Sequence, residues 1–167
     1  MGTFIVQGGR SLKGTIVPQG AKNEALQVIC ASLLTPGKVT IHNIPDIADV
    51  NNLIDLLSCI GVTVVREYFN TVSFQASEID LDYMNSSDFR IKSMSLRGSI
   101  MIVGPLLARY GKAIIPKPGG DKIGRRRVDT HFNGFQKLGA SLEFDPSDLF
   151  FKLEAGKLKG AYIHLDE

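Results

Sequence analysis

Apolar residues fall at Ala25, Leu26, Ile29, Cys30, Leu33 and Leu34, the three- and four-residue spacing of a helix buried along one face. Thr35-Pro36-Gly37 breaks that pattern, and residues 39–43 follow as a short strand. Pro45 and Asp46 end the strand. Asp49 is placed to cap a second helix that carries Val50, Leu53, Ile54, Leu57 and Ile60 on one side and closes at Gly61. Residues 62–66 and 71–75 then alternate in the manner of two strands around a turn at Phe69-Asn70. The unit so defined runs helix, strand, helix, strand, strand.

The same order returns. Met94, Ile100, Met101, Val103 and Leu107 predict a helix over 93–109, which should stop at Gly111 as the first stops at Gly37. A strand at 112–116, a helix at 128–138 and strands at 142–144 and 149–153 complete the second unit. Gly37-Lys38-Val39-Thr40-Ile41 matches Gly111-Lys112-Ala113-Ile114-Ile115 at a displacement of 74, whereas Leu57 and Gly61 match Phe135 and Gly139 at a displacement of 78. The extra residues therefore fall between strand and helix, and a repeat enlarged at one turn has usually gained a ligand there. Two further strands are expected before the first unit, at 4–7 and 14–18 around Gly8-Gly9-Arg10, and a last one at 161–165 begins a third unit that is left unfinished. A chain ending directly after a fresh strand reads as part of a longer protein.

Composition changes the picture little. With 167 residues, 44% hydrophobic and 22% charged, the chain can bury an ordinary core. A net charge of +2 is too small to imply nucleic acid as a partner, and no apolar run approaches membrane-spanning length. Cys30 and Cys59 lie in apolar runs and read as reduced core residues of a cytoplasmic protein. His, Cys and acidic residues form no cluster at metal-ligand spacing, so neither a metal nor a cofactor is expected.

Charge matters in one stretch, the enlarged turn. Gly119, Gly120 and Gly124 free the backbone to bend closely around a ligand, and Asp121 is followed by Lys122, Arg125, Arg126 and Arg127. A solvated basic turn is the plain alternative. Lys22 and Asn23 open the first helix, where an ammonium, an amide and helix N–H groups can meet one anion. Arg97 sits among apolar neighbours and either pairs with an anion or covers them with its stem. Asp129 can accept an N–H or a hydroxyl, or simply start its helix. His131, in the first turn of that helix, faces either substrate or solvent.

Several stretches carry a family likeness: Gly20-Ala21-Lys22-Asn23-Glu24-Ala25-Leu26, Ile44-Pro45-Asp46-Ile47-Ala48-Asp49-Val50, Leu96-Arg97-Gly98-Ser99, Gly104-Pro105-Leu106-Leu107-Ala108-Arg109, and Pro118-Gly119-Gly120 through Ile123-Gly124, with Arg126, Val128 and Asp129. They resemble the UDP-N-acetylglucosamine 1-carboxyvinyltransferases, over the whole chain but only the N-terminal part of that family's sequence. The resemblance implies an α/β fold in which repeated β-α-β-α-β-β units build an inside-out barrel, incomplete here. It implies that residues 1–20 supply strands to a second lobe, and that 21–167 form part of the catalytic lobe, with units at 21–76 and 93–153.

It also implies an activity: the enolpyruvyl group of phosphoenolpyruvate moves to the 3′-hydroxyl of UDP-N-acetylglucosamine, releasing phosphate, in the first committed step of peptidoglycan precursor synthesis. Lys22 and Asn23 would then contact phosphoenolpyruvate, Arg97 would help bind the substrates, Arg126 would contact phosphate groups, and Val128, Asp129 and Thr130 would hold the uridine nucleotide. Arg127 stands where proline is common in the family. Asp121 stands where the family usually has cysteine, the general acid that the epoxide antibiotic fosfomycin alkylates. A carboxyl group can also donate a proton but lacks the soft sulfur, so an active enzyme insensitive to fosfomycin is expected. The family's catalytic base lies in the C-terminal part, so this stretch alone should turn over little and could self-associate through uncovered apolar surface. Two alternatives are a 3-phosphoshikimate 1-carboxyvinyltransferase-like enzyme and a non-catalytic anion-binding module of the same fold.

Overall fold

The structure, a computed structural model, describes residues 2–119, 127–147 and 149–164. Its first unit begins with helix α1, Lys22–Ala31, which buries Ala25, Leu26, Ile29 and Cys30. The helix then tightens into a 3-10 turn, Ser32–Leu34, where the Ser32 hydroxyl donates to the carbonyl of Ile29 at 2.7 Å. So it ends before Gly37, and a tighter turn satisfies its last carbonyls.

Strand β1, Lys38–Ile41, leads to helix α2, Ala48–Cys59, and then to strands β2, Thr63–Tyr68, and β3, Thr71–Gln75. These strands form an antiparallel sheet in the order β1-β3-β2, with Val39 and Val64 both opposite Phe74. Asp49 is not the cap of α2, because the helix starts one residue ahead of it with Ile47 in the capping position. Asp49 is the second helical residue instead.

The predicted helix over 93–109 is three shorter pieces. Helix α3, Ser87–Ser95, is capped by the Ser86 hydroxyl, which accepts from the N–H of Phe89. Leu96 is extended (φ −124°, ψ 116°), a 3-10 segment Arg97–Ile102 follows, and helix α4, Val103–Tyr110, runs on from it. The apolar period survives the break because all three pieces turn buried residues toward one core: Phe89 from the first, Ile100 and Ile102 from the second, Val103, Leu106 and Leu107 from the third. The break lies where α1 crosses. A Cβ on Gly98 would stand 3.2 Å from Leu26.

Strand β4, Lys112–Pro116, helix α5, Asp129–Lys137, and strands β5, Ser141–Asp145, and β6, Phe150–Glu154, complete the second unit. Its sheet order, β4-β6-β5, repeats that of the first. Gly61 and Gly139, matched by displacement in sequence, have φ of 101° and 99°, the left-handed turn that sends each second helix into its next strand.

One apolar core joins both units, including Ile29, Leu33, Leu53, Leu57, Phe74, Phe89, Leu106, Ile115 and Leu153. Burial of each leucine or isoleucine side chain contributes roughly 1.5–3 kcal/mol. Arg109 bolts the units together by donating to the carbonyls of Leu33 at 3.1 Å, Ala76 at 2.6 Å and Ser77 at 3.4 Å. Cys30 is buried, and desolvation pushes its thiol up to about 12. Cys59 is half-buried and accepts a bond from the Lys92 ammonium at 2.9 Å, and both thiols are free.

The strands expected at 4–7 and 14–18 do not form. Residues 2–20 have no regular secondary structure, and Phe4, Ile5, Val6, Leu12, Ile16 and Val17 are exposed. A strand needs a neighbour to complete its hydrogen bonds, and none of the described strands pairs with this segment. The same holds for the last expected strand: residues 161–164 are irregular, and 165 lies outside the described residues. No helix among the described residues is long and apolar enough to cross a membrane.

Candidate functional site

Three helices of the two units begin without a side-chain bond from the capping residue. The capping residues of α1, α2 and α5 are Ala21, Ile47 and Val128, none of which makes a side-chain capping bond. All three starts open on one cavity of about 370 Å³. Helix α1 contributes Lys22 and Asn23, α2 contributes Asp49, and the entry to α5 contributes Arg127, Val128 and His131. The floor comes from the break between α3 and α4, with Ser95, Arg97, Gly98, Ile100 and Met101. Uncapped helix starts carry partial positive charge, and adding Lys22, Arg97 and Arg127 makes this an anion-attracting concavity.

Close backbone approaches hold its rim. A Cβ on Gly20 would lie 1.9 Å from the carbonyl oxygen of Asn43, and one on Gly119 would lie 1.7 Å from that of Met94. Only glycine allows the chain ahead of Lys22 to press on the β1–α2 connection, and the chain after β4 to press on the end of α3.

Two of the cavity's cations already hold carboxylates. The Lys22 ammonium donates to Asp49 Oδ2 at 2.8 Å, both side chains being about half exposed. Arg127 grips Asp129, Nε donating to both oxygens at 3.0 Å and Nη2 to Oδ2 at 2.5 Å. The guanidinium bonds hold the Asp129 carboxyl below the usual carboxylate range.

A second cavity, of about 440 Å³, adjoins the first, since Arg127 and Val128 line both. Its other walls include Asp129, Thr130, Asn133 and Gln136 with the apolar Phe132, Leu142 and Phe151. Phe132 and Phe151 lie with ring centroids 4.4 Å apart. Both volumes are within the span of about 300–1,000 Å³ common for small-molecule sites.

The residues singled out in sequence are thus distributed in a definite way. Lys22, Asn23, Arg97, Arg127, Val128 and His131 meet around the first cavity; Asp129 and Thr130 line the second. Asp121 and Arg126 lie outside the described residues. Arg97 is not inside a helix as the periodicity had it, but at the start of the 3-10 segment. His131 lies in the first turn of α5, as expected. Sequence reasoning missed Asp49 as a wall of the cavity, and no local signal marks it, because Lys22 is 27 residues away in sequence.

A family model described as EPSP synthase (3-phosphoshikimate 1-carboxyvinyltransferase) matches residues 6–167. The chain belongs to the EPSP synthase family. Within that family it is 56% identical over 167 residues to a Bacteroides thetaiotaomicron protein named UDP-N-acetylglucosamine 1-carboxyvinyltransferase, and 55% identical to one so named from Porphyromonas gingivalis. Each alignment covers all of this chain and 38% of the relative, so the chain spans well under half the length of these EPSP synthase family members. Among solved structures, the enolpyruvyl transferase NikO from Streptomyces tendae superimposes with a TM-score of 0.68 at 20% identity, over 91% of this chain and 32% of that one. An EPSP synthase from Acinetobacter baumannii gives 0.62 at 14% identity, over 92% of this chain and 35% of its own. These two likenesses concern the fold: a mixed α/β architecture of the EPSP synthase type, with two open three-stranded sheets among the described residues.

Proposed function

We propose that the chain is the substrate-gripping part of an enolpyruvyl transferase, moving the enolpyruvyl group of phosphoenolpyruvate to the 3′-hydroxyl of UDP-N-acetylglucosamine with release of phosphate. The observation that carries this reading is the convergence of three uncapped helix starts with Lys22, Asn23 and Arg97 on one cavity, an arrangement suited to a phosphate or carboxylate. The named relatives favour the nucleotide sugar over shikimate 3-phosphate as the acceptor. The adjoining cavity, part polar and part apolar with the rings of Phe132 and Phe151, suits a nucleoside beside a diphosphate.

In this reading Lys22 and Asn23 hold phosphoenolpyruvate, Arg97 and Arg126 neutralise phosphate charge, and Arg127, Val128, Asp129, Thr130 and His131 border the nucleotide. The Asp121 carboxyl gives its proton to the enolpyruvyl methylene. Its bound form must therefore be the acid, which requires exclusion of water to outweigh the neighbouring cations. The remainder of the protein supplies the base and the opposite wall of the cleft, and residues 2–20 join that second lobe, which would cover their exposed apolar side chains. Left uncovered, the same surface favours self-association. A nucleotide-sugar substrate places the protein in the cytoplasm.

Phosphate release from phosphoenolpyruvate by the complete gene product tests the reading. Release with UDP-N-acetylglucosamine and not with shikimate 3-phosphate is expected. Release with shikimate 3-phosphate alone would transfer the protein to the other branch of the family, and release with neither would leave an anion-binding module. Intact mass after exposure to fosfomycin should show no adduct at Asp121, and Asp121→Cys should acquire one.

A further inference from the structure

Asp49 is the single carboxylate among the described residues that line the first cavity. The same cavity is lined by Lys22, Arg97, Arg127 and His131, and a negative charge among them opposes any anion that enters. Helix capping does not explain it, because Ile47 is the cap of α2 and the Asp49 carboxylate bonds to Lys22. Pairing for stability is a weak reason as well, since an ion pair this exposed contributes only about 0–1 kcal/mol.

Its geometry suggests a different role. Lys22 carries its charge on a flexible four-carbon stem, and as the first residue of α1 it has no preceding helical turn to lie against. The ammonium has three N–H donors. One of them points at Asp49 Oδ2 from 2.8 Å, which directs the remaining two. Asp49 itself stands in the first turn of α2, a rigid element packed into the shared core by Val50, Leu53 and Ile54. A rigid tether thus fixes a flexible cation.

We propose that Asp49 is a positioning residue for Lys22: it weakens anion binding by its charge and in return aims the ammonium so that a phosphate or carboxylate group is bound in one orientation. This rests on the reading of the cavity as the phosphoenolpyruvate site, and it adds a residue that acts through Lys22 without touching substrate. Charge and orientation then have opposite signs in measurement. Removing the carboxylate should tighten simple anions yet slow the reaction.

The test uses the complete gene product with Asp49→Asn, Asp49→Glu, Lys22→Ala and the Asp49→Asn/Lys22→Ala pair. Calorimetric titration with inorganic phosphate should show Asp49→Asn binding about 3- to 10-fold more tightly than wild type, the size expected for losing one like charge in a half-solvated site. The same variant should lower kcat about 10-fold or more while KM for phosphoenolpyruvate falls, and Asp49→Glu should recover most of kcat. In the Lys22→Ala background, Asp49→Asn should change kcat less than twofold, because the residue acts through a side chain already removed. Unchanged phosphate affinity and kcat in Asp49→Asn would overturn the proposal, as would weaker phosphate binding accompanied by a lower Tm, which marks a structural carboxylate. The phosphate titration needs no acceptor sugar. Tighter phosphate binding in Asp49→Asn without any turnover in wild type would therefore sink the transferase reading and keep the role of Asp49, and the converse pattern would do the reverse.

Discussion

The two units of this chain differ far more in their connections than in their elements. Each has a sheet in which the last strand lies between the other two, and each turns from its second helix into the next strand through a glycine near φ 100°. The contrast is between strand and second helix. In the first unit residues 42–47 span that gap, and in the second residues 117–128 do. The short connection brings Asp49 to Lys22 by packing two helices together, so its pair links distant parts of the chain. The long connection makes its pair locally, Arg127 with Asp129 two positions on. Repetition supplies a stiff frame, and the departure from repetition supplies chemistry.

The largest test of that contrast is removal of the first unit's cation. Lys22→Ala in the complete protein should cost about 10²- to 10³-fold in kcat/KM for phosphoenolpyruvate, in the range for a preorganised electrostatic contact, and leave the melting temperature almost unchanged. Near-normal activity would mean that the second unit binds the anion alone.

Next is the bolt between the units. Arg109→Met removes bonds to the carbonyls of Leu33, Ala76 and Ser77 and should destabilise the fold by about 2–4 kcal/mol, read from denaturant midpoints. A change under 1 kcal/mol would show that the shared apolar core alone keeps the units in register.

The matched glycines offer a smaller and more pointed comparison. Alanine at either must hold a left-handed backbone, costing about 1–2 kcal/mol. At Gly61 the new Cβ would also meet the carbonyl oxygen of Glu78 at 2.8 Å, whereas at Gly139 the nearest atom is at 3.9 Å. Gly61→Ala should therefore be the more destabilising in urea titrations, and the reverse order would break the correspondence between the turns.

The smallest effect is at the local pair. Asp129 is held below the ordinary carboxylate range in the folded protein, so its contribution to stability is complete above the unfolded carboxylate pKa and is lost as pH falls through the lowered one. Arg127→Gln should raise the Asp129 midpoint in a carboxyl-carbon NMR titration and leave the denaturant midpoint at neutral pH almost unchanged, as expected for an exposed pair. An unmoved midpoint would mean that something other than Arg127 lowers it.

Much of the frame was legible in the chain. The spacing of Ala25, Leu26, Ile29 and Cys30 placed α1, that of Val50, Leu53, Ile54 and Leu57 placed α2, and displacement alone matched Gly61 to Gly139. Other readings failed for identifiable reasons. The period through 93–109 is kept by three pieces that share a core face, so an unbroken pattern concealed the extended Leu96. Residues 4–7 and 14–18 have strand-like composition, yet composition provides no neighbouring strand to bond with. Asp49 looked like a cap because a lone acid ahead of an apolar run suits that role, and only the fold showed Ile47 there instead.

By itself the sequence determined most of the helices and strands of the two units, their repetition and the types of residue available for binding anions. Those are properties of one helix, one strand or one turn at a time, set by apolar period and backbone freedom. Tertiary structure decided which helix starts face each other, that Lys22 is held by Asp49, and that Arg97 lies on the floor of their cavity. Such meetings depend on how several elements bury their apolar faces against one another, and no short stretch of chain contains that information.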